Sequence, residues 1–297
     1  MTSELEPPYP VLPVAPQTVE RSLAHAVYED EAHRITVGEV LDRLLAAGMS
    51  VYAAGGAPRD WLLDETPNDV DLYVDQPLET VHALLRDAYP GIDPARRKRP
   101  RGFLLRWGNR EPGLDICILR APGDIRGGDA WTTEFPVRDD VRQNARMMDF
   151  SFHTYHYDFR RGVLLDPLGH GTGDLMQRRL CLSAAPAVLA ATYWPTPRVI
   201  QFEQRGFIAT AATRAYLEAN ADRDIAGMGE RLGRWIPAHI SERENIVNFV
   251  QRLKPWLRDA ALHRLLDRLL DDLCPPQASG MDANTTESQH SAEELNP

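Results

Sequence analysis

The stretch VYAAGGAPRDWLLDETPNDVDLYV, Val51 to Val74, decides how this chain is read. An apolar run, Val51 to Ala54, breaks at Gly55-Gly56, resumes as a helix-like turn through Arg59, Asp60, Trp61, Leu62 and Leu63, and crosses a polar loop. It ends in Asp69-Val70-Asp71 at the start of a second apolar run. In a strand, residues i and i+2 share a face, so Asp69 and Asp71 are expected to project together. Two neighbouring carboxylates repel unless a cation neutralises them, and hard ions such as Mg²⁺ take oxygen ligands. Glycines let a backbone approach a ligand closely, and N–H groups at the following helix start attract anions. One half of the stretch suits metal and the other phosphate. Singly, a Gly-Gly pair is an ordinary turn and Asp-x-Asp an ordinary solvated edge; their order and closeness set them apart.

Gly55-Gly56-x-x-Arg59-Asp60 followed by Asp69-x-Asp71 resembles the signature of the polymerase-β nucleotidyltransferase superfamily. More narrowly, it resembles the bacterial (class II) tRNA CCA-adding enzymes and poly(A) polymerases. The resemblance implies that Gly55, Gly56, Arg59 and Asp60 contact a nucleoside triphosphate, while Asp69 and Asp71 bind the catalytic Mg²⁺ ions.

Downstream segments extend it. Asp115 opens the apolar strand Asp115-Ile116-Cys117-Ile118-Leu119-Arg120, where a charge needs a partner or a metal to offset desolvation. The family has a carboxylate here and an arginine closing the strand, which implies Asp115 as third metal carboxylate and Arg120 as a nucleotide contact. Asn144-Ala145-Arg146-Met147-Met148-Asp149-Phe150-Ser151-Phe152-His153 is similar to the family's Asp-Leu-x-Arg-Arg-Asp-Phe-Thr-Ile-Asn. It implies Asp149 at the ribose. Met147 and Met148 replace two phosphate-binding arginines whose fork Met cannot imitate, Arg146 and Arg142 are near enough to compensate, and His153 stands for Asn. His153 and His156 are read as non-ligands. Leu164 to Leu175, with Asp166-Pro167 and its glycines, is expected to be structural, with Asp174 as a helix cap. The family's Glu-Asp-x-x-Arg, which reads the incoming base, aligns with Trp194-Pro195-Thr196-Pro197-Arg198. Arg198 is kept and the acids are not, so selection between C and A lacks a partner. Trp194 is expected to pack in a core, with base stacking as the alternative.

The rest of the chain bounds this. With 297 residues, 43% hydrophobic and 26% charged, it suits a soluble enzyme of one or two domains. No apolar run approaches the ~20 residues of a membrane span, and the N-terminus lacks a secretory pattern, so the expected location is cytoplasmic. Three cysteines, Cys117, Cys181 and Cys274, are too scattered for a disulfide framework or zinc site. A net charge of −10 argues against a broadly basic nucleic-acid surface; Arg96-Arg97-Lys98-Arg99-Pro100-Arg101 reads equally as a local patch or a solvated loop.

The expected fold is α+β: a small mixed sheet flanked by helices, the nucleotidyltransferase head, then an all-α neck and body. Residues 1–35 read as an extension with a short helix near Val19 to Val27, 36–183 as the head, 184–274 as helices and 275–297 as a disordered tail. Helices are expected from Thr36 to Gly48, Leu78 to Ala88, Thr210 to Ala219, from a capping box at Ser241 to Glu244, and along the leucine stripe Leu257 to Leu273. The body that grips tRNA in the family looks reduced. The resemblance implies transfer of NMP from an NTP, ATP or CTP, to a hydroxyl of an RNA 3′ end, tRNA above all. The alternatives are a protein or small-molecule acceptor, and a catalytically weak nucleotide-binding module.

Overall fold

The computed structural model describes residues 9–92, 104–110, 113–124, 136, 138–191, 195–220, 228–240, 242–257 and 260–273. The Arg96 to Arg101 run, Trp194, Cys274 and the expected tail lie outside them. The chain divides into two compact units, Met1–Asp224 and Ile225–Pro297.

The first unit is built on a seven-stranded mixed sheet. Its strands are β1 (Val11–Leu12), β4 (Val51–Ala54), β5 (Asp71–Val74), β6 (Leu104–Trp107), β7 (Leu114–Ile118), β8 (His156–Asp158) and β9 (Val163–Leu165), in the order β1-β9-β8-β4-β5-β7-β6. Only β5 and β7 pair in parallel within it. That pair needs a crossover, supplied by α4 (Leu78–Ala88), whose Leu78, Val81 and Leu85 are buried. β2 (Ala26–Glu29) and β3 (Arg34–Thr36) form a separate hairpin, and β10 (Arg179–Leu180) pairs with β11 (Ile208–Ala209).

The helices of this unit are α1 (Pro16–Leu23), α2 (Val37–Ala46), α3 (Gly56–Leu62), α4, α5 (Val141–Ala145), α6 (Gly171–Met176), α7 (Pro186–Ala191), α8 (Pro195–Gln204) and α9 (Ala211–Ala219). α2 starts where its sequence directs: the Thr36 hydroxyl accepts from the Glu39 N–H while the Glu39 carboxylate accepts from the Thr36 N–H. α1 stops at Leu23 and Val27 sits in a strand, so the helix expected through Val27 is shorter. A β-branched residue with a buried strand neighbour, Tyr28, follows the edge of the hairpin instead.

Leu72, Val74, Leu105, Leu114 and Ile116 form the centre of the core, almost wholly buried with Val40 and Leu44 of α2. Trp61 of α3 is 2% exposed, meets Tyr157 and Phe159 edge-on, and donates its indole N–H to Ser22 Oγ at 2.9 Å. That bond ties α1 to α3, and with it the N-terminal segment to the glycine turn.

The hairpin β2–β3 is fixed just as firmly. At Gly108, φ is 106° and a Cβ would stand 2.1 Å from the Val27 carbonyl oxygen, so only glycine fits. The next two N–H groups, of Asn109 and Arg110, donate to that carbonyl at 3.1 and 3.2 Å. The Asn109 side chain then bonds both backbone groups of Glu29 at 2.9 Å.

The second unit holds α10 (Met228–His239), α11 (Arg243–Leu253) and α12 (Ala260–Leu273), around Leu232, Ile236, Phe249, Val250, Leu253 and Leu266. Ser241, where a capping box is expected, lies outside the described residues; Glu242 is the N-cap of α11 and its side chain caps no N–H. Among the described residues, no helix is long and apolar enough to cross a membrane.

Candidate active site

β4 and β5 are antiparallel with Ala54 opposite Asp71, so the chain leaves β4 into Gly55 beside the carboxylate that opens β5. Gly55 has φ 82° and ψ −123°, a conformation that L side chains rarely adopt, and a Cβ there would lie 4.0 Å from Asp71 Oδ2. In the parallel β5–β7 pair Leu72 stands opposite Ile116. The register therefore sets Asp71, the first residue of β5, beside Asp115, the second of β7.

Asp71 is held well above the usual carboxyl range, first by burial and then by the negative charges of Asp69 and Asp115; Arg106 and Arg198 pull it down. The three acids foreseen from the sequence thus act on one another. The first two come together for a different reason from the one expected: β5 begins at Asp71, and Asp69 is an exposed residue of the preceding loop. Its proximity comes from the loop's path around buried Val70, and not from strand alternation.

Sequence reasoning missed Arg106. On β6, directly opposite Asp115, it donates from Nε at 2.5 Å and Nη2 at 2.6 Å to the two carboxylate oxygens. Among the described residues no three His, Cys, Asp or Glu side chains surround one ion position. Arg106 is the countercharge that Asp115 takes.

Behind the glycine turn runs a second polar group. Arg59 is 6% exposed; Nη2 and Nε meet Asp60 Oδ1 at 2.5 and 2.7 Å, Nη1 meets His153 Nε2 at 2.7 Å, and the guanidinium lies 5.3 Å from the Phe202 ring centre. Burial lowers Arg59 and raises Asp60 from their ordinary values, each opposed by the other. Arginine only donates, so His153 Nε2 must accept and Nδ1 must carry the proton, given to Asp149 Oδ1 at 2.8 Å. Burial brings His153 down to about 4, against the pull of Asp149.

Burial would raise Asp149, but Arg198, His153 and the Phe150 N–H hold it well below the usual range. Arg198 Nε lies 2.8 Å from Asp149 Oδ2, an ion pair joining α8 to the loop after α5. The acid missing beside Arg198 in the sequence is supplied by Asp149. Nothing local signals this, because the two are far apart in the chain. His153, read from its spacing as a non-ligand, is the centre of the group.

The remaining candidates are dispersed. Arg120 is deeply placed at the end of β7, near Tyr73, Cys117 and Asp124, and burial lowers it. Arg146 is exposed at the C-cap of α5, and Arg142 is exposed as well. Met147 packs with Ala184, Val188 and Leu189, and Met148 against the main core, so these two fill apolar space. The Ser151 hydroxyl donates to Asp174 Oδ2 at 2.6 Å. Asp174, expected as a cap, lies inside α6, whose N-cap is His170; its carboxylate is turned to Ser151 and Arg179.

Residues 51–181 match the poly(A) polymerase head domain. Among solved structures, a CCA-adding enzyme in its apo form I superposes with TM-score 0.52 at 20% identity over 73% of this chain and 49% of its own. The Thermotoga maritima CCA-adding enzyme complexed with tRNA gives 0.50 at 20% identity, over 80% and 53%. At such identity the likeness is one of fold, and this chain spans about half the length of those proteins. No curated protein sequence matches it. The turn and the carboxylates lie within the matched segment, which is similar to a poly(A) polymerase head domain.

Proposed function

We propose that this chain is a Mg²⁺-dependent nucleotidyltransferase, moving a nucleoside monophosphate from ATP or CTP to the 3′ hydroxyl of an RNA, a tRNA above all, and releasing pyrophosphate. The observation that carries the reading is the mutual action of Asp69, Asp71 and Asp115 beside the Gly55 turn.

The donor set suits the ion. It consists of carboxylate oxygens, and the carboxyl of Asp71 is raised by burial and then by the negative charges of Asp69 and Asp115. Bound by Asp69 and Asp71, with Asp115 completing the set, Mg²⁺ would supply charge neutralisation at the transferred and leaving phosphates. Asp115, freed from Arg106, would take the proton of the attacking hydroxyl. Gly55 and Gly56 leave room for the β and γ phosphates, with Arg59, Asp60, Arg120 and Arg146 as the further nucleotide residues by resemblance. Asp149 would take the ribose and Arg198 the base edge, each exchanging its present partner for substrate.

The test is transfer of label from each α-labelled NTP, with Mg²⁺, into total RNA and protein of the same cell. A discrete labelled RNA, absent with Asp69→Ala/Asp71→Ala, is the expected result, and the NTP that works gives the base choice. Label in protein, or in neither despite NTP binding, would overturn the RNA reading. A second reading, a catalytically weak nucleotide-binding or regulatory module, draws on the burial of Met147 where the family has an arginine.

A further inference from the structure

A cleft of ≈ 610 Å³ has Asp69, one of the three candidate carboxylates, and Asn68 in its wall. Its cationic residues are Arg21 of α1, Arg34 of β3 and Arg110 of the β6–β7 turn, with His25 beside them. Arg21, His25 and Arg34 precede the segment that matches the head domain. The walls are built to stay in place: Trp61 anchors α1 through Ser22, and the Gly108–Asn109 contacts lock the β2–β3 hairpin to the β6–β7 turn.

The charges on these arginines are lightly committed. Arg21 pairs with Asp64 at 3.3 Å, with side chains 57% and 78% exposed. Arg110 pairs with Glu29 at 2.5 Å, 55% and 37% exposed. Pairs so open to water contribute little and exchange readily for a stronger anion. Arg34 has only the Ala24 carbonyl, at 3.4 Å, and no carboxylate at ion-pair distance among the described residues. Guanidiniums match phosphate oxygens with a planar fork, and three of them line one wall system in a chain of net charge −10. Set against the two acids of the lining, Glu29 and Asp69, the three guanidiniums leave the cleft positive, which fits a polyanion whose end reaches Asp69.

We propose that this cleft receives the phosphodiester chain of a single-stranded RNA acceptor, the nucleotides just before the attacking 3′ hydroxyl, with Arg21, Arg34 and Arg110 on its phosphates. The inference rests on the RNA-directed reading above and adds the site that holds the RNA.

The test compares wild type with Arg21→Glu/Arg34→Glu, and with Arg21→Gln/Arg34→Gln should charge reversal unfold the chain. Anisotropy of a fluorescein-labelled single-stranded oligoribonucleotide is followed against salt, and steady-state transfer gives KM for RNA and for NTP. Losing two phosphate contacts is expected to weaken RNA binding at least tenfold and flatten the log K against log salt slope by about 1.4, with KM for RNA raised and kcat and KM for NTP unchanged. RNA affinity, slope and KM unchanged in an enzyme that extends RNA would overturn the cleft and leave the RNA-directed function standing. A raised KM for NTP alone would overturn it in favour of a triphosphate site. Wild-type protein that neither binds nor extends RNA, labelling protein instead, would overturn both.

Discussion

Arg106 faces Asp115 across two antiparallel strands and donates to both of its carboxylate oxygens, so the residue proposed to complete the metal set already has a cationic partner. Arg106→Gln removes that countercharge while Asp69 and Asp71 remain. In metal-free buffer the variant is expected to lose roughly 1–2 kcal/mol, a fall of several degrees in Tm. Mg²⁺ should then stabilise it by more than it stabilises wild type, since an ion now replaces the guanidinium. Thermal melts with and without Mg²⁺ check this. Equal Mg²⁺ shifts in the two proteins would show that Arg106 and the ion do not compete.

Buried neutral histidines set an acid limit on stability. His153 and His156 are each held near 4 against an ordinary 6.5, both mainly by burial. Above pH 6.5 neither folded nor unfolded chain protonates them. Between 6.5 and 4 the unfolded chain binds protons that the folded one refuses, so stability falls as pH falls. Each contributes on the order of 3 kcal/mol across that window. Asp149, held low, loses its contribution only below the ordinary carboxyl range. Urea unfolding from pH 7 to 4 should show the decline, and His153→Asn should reduce its slope by about one proton.

Restoring a family arginine is expected to do harm. Met147→Arg would put a guanidinium among the apolar side chains of Ala184, Val188 and Leu189. Burying an unpaired charge should cost about 2–4 kcal/mol, seen as a lower urea midpoint with unchanged m. A stable variant with improved NTP affinity would mean that the position faces the nucleotide.

Arg198→Ala breaks the ion pair with Asp149 and removes the proposed base contact. KM for NTP should rise roughly 10- to 100-fold, matching ~1.4–3 kcal/mol of charge-assisted bonding, with kcat changed less. Measured with each NTP in turn, an unequal rise would mark Arg198 as a reader of the base, whereas KM unchanged for all would leave it structural.

Much of this fold is legible locally. The helix from Thr36, the glycine break after Val51 to Ala54 and the apolar strand around Ile116 to Ile118 depend on neighbours in sequence, and each appears where the pattern puts it. What escaped depends on distant partners. Asp174 has the look of a cap but is drawn into α6 by Ser151 and Arg179. Arg106 is an unremarkable strand residue until β6 and β7 pair, and Arg198 lacks an acid only until α8 meets Asp149. The carboxylates of the candidate site were legible by kind and order; the countercharges that hold them come from tertiary pairing.

The parallel pairing of β5 with β7 also divides the chain by its tolerance of insertions and deletions. Extra residues after Tyr89 lengthen a connection at slight entropic cost and leave Asp71 beside Asp115. One residue lost within Leu72 to Val74 or Ile116 to Ile118 shifts the register by a step and turns side chains to opposite faces. Homologous chains should therefore vary in length freely across the crossover and keep both strands without gaps.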